Sequence, residues 1–125
     1  MIAGGEVGHD KILIVESDLQ VAAWLTRALH ELGFDVDNVY HDTESAFAAF
    51  HGLNFSLYHP FVILDGDLDR GGSEVIARFL ANKGINFILH TDRDIASDEA
   101  FRNMMFSVLP KSRNKESLAS VVEKT

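Results

Sequence analysis

Five short apolar runs recur along this chain, each followed by a polar turn and a stretch of helical periodicity. That alternation restricts the fold more than any other feature. Lys11-Ile12-Leu13-Ile14-Val15 opens the series. Phe34 to Val39 alternates apolar and polar residues, as a half-exposed edge strand does. Phe61-Val62-Ile63-Leu64 stops on Asp65, Ile85 to His90 forms the fourth run, and Phe106-Ser107-Val108-Leu109 the fifth. Uninterrupted apolar runs read as strands buried on both faces.

The intervening segments read as helices. Ser17 and Asp18 are both suited to cap a first helix carrying Val21, Leu25, Ala28, Leu29 and Leu32, and Gly33 stops it. Trp24 falls off that apolar stripe. Asp42 or Thr43 caps a second helix with Ala46, Phe47 and Phe50, ended by Gly52, and Leu53 to Pro60 reads as a loop. Ser73 caps a third helix with Val75, Ile76, Phe79 and Leu80 on one face, closed by Gly84. Asp92 to Asn103 reads as a fourth helix with only Ile95, Ala100 and Phe101 as anchors. Asn114 to Lys124 reads as a fifth, with Leu118, Val121 and Val122 inward. The order (βα)5 predicts an α/β three-layer sandwich around a parallel five-stranded sheet, in the flavodoxin-like order 2-1-3-4-5. Residues 11–125 read as a single domain and residues 1–10 as a disordered leader or tag remnant.

Composition narrows the functions. The chain has no Cys, which excludes disulfides and thiolate metal sites. Its six His residues show no His-x-x-x-His spacing and are not read as zinc ligands; His90 reads as a packing residue. The net charge is −8 with no Lys/Arg cluster, so no nucleic-acid partner is expected. No apolar run reaches membrane-spanning length and the start lacks the regions of a signal peptide, so no membrane partner and a cytoplasmic location are expected. No Gly-x-Gly-x-x-Gly follows the first strand, because Gly4, Gly5 and Gly8 precede it, which argues against a dinucleotide site.

In a parallel sheet the carboxyl ends of the strands share one edge, where ligands bind and chemistry occurs. This sequence puts Glu16, Ser17 and Asp18 after strand 1, and Asp65, Asp67 and Asp69 after strand 3. His90, Thr91 and Asp92 follow strand 4, and Pro110 and Lys111 follow strand 5. Asp69 and Asp92 read as solvated loop residues. Carboxylates with backbone carbonyls suit Mg²⁺. A hydroxyl and an ammonium beside them suit the oxygens of a phosphoryl group.

From Lys11 to Lys124 this arrangement resembles the receiver domain of two-component response regulators, though an atypical one. The resemblance rests on Ile12-Leu13-Ile14-Val15-Glu16, Val62-Ile63-Leu64-Asp65, Ile88-Leu89-His90-Thr91, and Lys111 with Leu118. It implies that Asp65 accepts a phosphoryl group from the phosphohistidine of a sensor histidine kinase or phosphotransfer protein. It also implies that Glu16 and Asp65 hold Mg²⁺ together with the backbone carbonyl of Asp67, that Thr91 donates its hydroxyl to the phosphoryl group, and that Lys111 pairs with it. A downstream protein would dock on the face spanning residues 92–124. Nothing in this reading makes the chain an enzyme.

Several positions depart from the family pattern. Receivers carry two adjacent acids after strand 1, and here the second is Ser17, which weakens the Mg²⁺ site. Asp18 comes one residue too late to replace it, whereas Asp67 is able to offer its side-chain carboxylate. Asp69 stands where the family has proline after the acceptor, Ser112 stands where it has proline after the lysine, and Val108 replaces the usual switch aromatic. These departures support an alternative reading, a degenerate receiver acting as a phosphorylation-independent interaction module. A third reading takes Asp65-Gly66-Asp67 as the nucleophile motif of a haloacid-dehalogenase-type phosphatase. Against it, the motif lies mid-chain, and neither a late Asp-Asp pair nor room for a cap domain is present.

Overall fold

The structure, a computed structural model, describes residues 11–124. The expected leader lies outside the described residues. Five parallel strands form one sheet in the order β2-β1-β3-β4-β5: β1 (Lys11–Val15), β2 (Asp35–Tyr40), β3 (Pro60–Asp65), β4 (Phe87–His90) and β5 (Ser107–Leu109). The α-helices are α1 (Leu19–Glu31), α2 (Thr43–His51), α3 (Gly72–Asn82) and α4 (Lys115–Lys124).

Alternate side chains of the central strands serve opposite faces, which is why their runs are apolar throughout. Ile12, Ile14, Phe61, Ile63 and Ile88 pack with Leu25 and Leu29 of α1 and Leu118 and Val122 of α4. Leu13, Val15, Val62, Leu64, Phe87 and Leu89 pack with Ala46 and Phe50 of α2 and Ile76 and Leu80 of α3. The loop before β3 is held by Phe55 and Tyr58 against this second core, and Tyr58 donates its hydroxyl to Asp37 at 2.6 Å. β2 is the exposed edge expected from its alternation, with a bulge where the register slips between Ile12 and Leu13.

Local chemistry sets the helix ends. Asp18, rather than Ser17, caps α1, accepting from the N–H groups of Gln20 and Val21 at 2.9 and 3.2 Å. Gly33, at φ 93°, lets the chain turn away after that helix. Asp42 caps α2 by accepting the Ser45 N–H at 2.7 Å.

Three expectations are corrected. Ser73 does not cap α3; the helix starts at Gly72 after Gly71, whose left-handed φ of 71° needs no side chain, and Ser73 is fully buried. Val75 points outward and is exposed, because the core-facing stripe of α3 runs through Ile76, Ala77 and Leu80. Among the described residues no α-helix joins β4 to β5; only a 3-10 turn at Glu99–Phe101 interrupts that segment. Its acids compete with helix formation: Asp94 accepts from Ala96 N–H at 3.2 Å and Asp98 from Ala100 N–H at 2.9 Å. The anchors Ile95 and Phe101 are buried nonetheless.

Candidate functional site

β3 delivers Asp65 to the carboxyl edge of the sheet because it is paired on both sides, by β1 and β4, up to its last residues. Asp65 is only 1% exposed, and both carboxylate oxygens are held. Oδ1 accepts from the Lys111 ammonium at 2.8 Å and the Asp67 N–H at 2.9 Å. Oδ2 accepts from the Ser17 hydroxyl at 3.0 Å and the Ser17 N–H at 3.3 Å. Burial alone would raise the Asp65 pKa, but the Lys111 ammonium and the Asp67 N–H bonded to it hold it below the usual carboxylate value. Burial likewise works against the Lys111 ammonium, yet Asp65, with Glu16 and Asp67 nearby, raises its pKa above the ordinary lysine value.

Lys111 follows β5 and reaches back across the sheet edge. Its backbone N–H donates to the exposed loop residue Asp92 at 2.8 Å, which fastens the two loops together. Its Nζ lies 2.8 Å from Asp65, 3.2 Å from Asp67 and 3.8 Å from Glu16. The three acids expected to face a metal therefore surround an ammonium. Glu16 is buried: Oε2 accepts the Asp18 N–H at 3.2 Å, and Oε1 has no hydrogen-bond partner and lies 3.5 Å from Nδ1 of buried His90. The Nδ1–H of His41 donates to the Glu16 carbonyl at 3.0 Å and steadies that turn.

Thr91 extends from β4 and is buried. Its hydroxyl lies 3.3 and 3.4 Å from the two Asp67 oxygens and accepts the Arg93 N–H at 3.0 Å. The guanidinium of Arg93 donates to Asp67 Oδ1 at 3.0 Å, the Gly66 carbonyl at 2.6 Å and Asp98 at 3.3 Å. Asp67 is thus bound by three donors of the protein itself. Arg93 and Ser73 were not foreseen. Ser73 accepts the Leu68 N–H at 2.9 Å and donates to the Asp65 carbonyl at 2.7 Å, pinning the loop behind the acceptor. A serine at the start of a helix signals a cap, so its inward role left no mark in the sequence. Arg93 stands two positions after Thr91, which is the one signal that could have drawn it in.

The donor set can be tested against Mg²⁺, which binds through one or two carboxylates and keeps several waters. Glu16 and Asp65 meet that minimum, and buried Oε1 of Glu16 has no hydrogen-bond partner of its own. Ser17 contributes a hydroxyl already given to Asp65, and among the described residues no group of three His, Asp or Glu side chains is arranged to hold a metal. The residues fit a two-carboxylate site in which Lys111 competes for the same oxygens.

No protein-family model and no curated protein sequence matches the chain. Solved structures do. SdrG of Sphingomonas melonis Fr1 is 27% identical with a TM-score of 0.69, over 94% of this chain and 96% of that one. The BeF3-activated conformation of SdrG from Pseudomonas melonis Fr1 gives 27% identity and a TM-score of 0.70, over 91% of this chain and 93% of that one. The response regulator TrrA of Thermotoga maritima, in complex with Mg²⁺-BeF, is 26% identical with a TM-score of 0.76, over 91% and 96%. The likeness of fold is thus to a response regulator such as TrrA rather than to a haloacid-dehalogenase-type phosphatase.

Proposed function

We propose that this chain, whose fold is that of a response-regulator receiver domain, is a phosphorelay signalling domain that accepts a phosphoryl group on Asp65. The donor is the phosphohistidine of a sensor histidine kinase or phosphotransfer protein, which makes the cytoplasm its compartment. An Asp65 oxygen attacks phosphorus while the phosphorus–nitrogen bond breaks and its electron pair leaves with the imidazole. Lys111 and the Thr91 hydroxyl stand beside Asp65 to receive the phosphoryl oxygens. Glu16, Asp65 and the Asp67 backbone carbonyl would hold Mg²⁺, which would supply positive charge against those oxygens. The output is read by a protein docking on residues 92–124, where Met105 and Val108 are exposed.

The observation that carries this reading is the Asp65 carboxylate itself, buried at a strand end and kept ionised by Lys111. Incubation with a small acyl phosphate and Mg²⁺ tests it: intact-mass spectrometry should show a phosphoryl adduct that Asp65→Asn abolishes. A second reading, the phosphorylation-independent interaction module, is favoured by the position of Lys111 among all three acids. No adduct on Asp65 at high Mg²⁺ would rule out the first reading.

A further inference from the structure

We propose that the Asp67 carboxylate is an internal stand-in for the phosphoryl group, seated in an anion subsite whose donors are Thr91, Lys111 and Arg93. This deepens the phosphoacceptor reading and rests on it.

The two groups that reading assigns to the phosphoryl oxygens already have an anion. The Lys111 ammonium is 3.2 Å from Asp67 Oδ2, and the Thr91 hydroxyl is 3.3 Å from Oδ1. Arg93 adds a second cation to the same carboxylate through Nε at 3.0 Å. A hydroxyl, an ammonium and a guanidinium converging on one oxyanion are the donor chemistry of a phosphate-class ligand. The carboxylate matches such a ligand in sign but carries less charge than a phosphoryl group, which brings roughly −1.5 to −2.

The arrangement is built to be vacated. Asp67 and Arg93 are both well exposed, at 38% and 42%, so their pairing is of the solvent-screened kind that contributes little. Asp65, by contrast, is buried and fixed by four donors. An anion arriving on Asp65 meets Asp67 as a like charge beside shared donors. Asp67 swings into solvent, and Thr91, Lys111 and Arg93 pass to the newcomer. Arg93 is then a third side-chain donor of the phosphoryl site. Until Asp67 leaves, it competes with phosphorylation and holds the loops in the arrangement an anion would impose.

The test compares the full chain with Asp67→Ala, Asp67→Asn, Arg93→Ala and Asp67→Ala/Arg93→Ala. Beryllofluoride binding in Mg²⁺ buffer is followed by ¹⁹F NMR. Sulfate binding is followed by the Arg93 Nε–H resonance in the Arg93-containing forms and by backbone amide shifts in all. Removing the carboxylate should tighten beryllofluoride binding by about tenfold, the size of one charged contact, and adding Arg93→Ala should cancel most of the gain. Asp67→Asn should behave like Asp67→Ala, because the charge, and not the shape, occupies the site. Equal or weaker binding by both Asp67 variants overturns the proposal, and wild-type binding in that case leaves the phosphoacceptor reading intact. If no form binds beryllofluoride but the Asp67 variants gain sulfate with a shifted Arg93 Nε–H, the subsite stands and the phosphoacceptor reading falls. Failure of every form with both probes overturns both.

Discussion

The backbone of Gly66 passes so close to Thr91 that a Cβ at position 66 would lie 2.7 Å from the threonine Cβ. The next residue after the acceptor therefore fixes where the hydroxyl of β4 stands. Thr91 is β-branched and buried, so the clash cannot be relieved by a rotamer change at a flexible tip. Gly66→Ala should cost about 1–3 kcal/mol in urea unfolding. It should also slow adduct formation from acyl phosphate more than a distant variant of equal stability.

The Asp65–Lys111 pair gives the domain a pH signature. A carboxyl lowered on folding contributes stability above the ordinary carboxylate pKa, about 3.9, and loses it as pH falls through its folded value. An ammonium raised on folding contributes below the ordinary lysine pKa, about 10.4, and loses it as pH rises through its folded value. Between those limits the pair's contribution is flat. Lys111→Met leaves a buried carboxylate short of its main partner. It should destabilise the domain by about 2 kcal/mol at neutral pH and flatten the loss of stability on acidification. Chemical denaturation across a pH series measures both effects.

Ser73 bridges two backbone groups, the Leu68 N–H and the Asp65 carbonyl. Its hydroxyl is fully buried, so Ser73→Ala strands polar groups where water does not reach. The expected cost is about 1–3 kcal/mol. Amide exchange should accelerate at Leu68 before the rest of the sheet opens.

Phe101 anchors the segment that joins β4 to β5. It packs at 5.7 Å against Phe106, which in turn stacks on Phe87 at 5.2 Å. Phe101→Ala should lower stability by about 3 kcal/mol. It should also raise amide exchange between Asp92 and Phe106, while β1 and β3 exchange as in the wild type.

The sheet was legible because burial on two faces writes itself into sequence as unbroken apolar runs, and the edge strand β2 as alternation. The gathering of Glu16, Asp65, Thr91 and Lys111 at one edge followed from strand order. What did not follow depends on side-chain direction. Ser17 and Asp18 are both good caps, and only the fold shows that one caps while the other bonds Asp65. The Asp67 side chain meets Lys111, Thr91 and Arg93, contacts its spacing from Asp65 does not foretell. The expected fourth helix gives way to turns because local Asp hydrogen bonds satisfy the backbone there, while Ile95 and Phe101 still reach the core.

The two rims of the sheet are unlike its interior. β2 carries Asp35, Asp37 and Asn38 along its outer row, and β5 is three residues long. Charge on one rim and brevity on the other deny an incoming strand any run of free backbone to zip onto. The domain is thereby guarded against edge-to-edge aggregation.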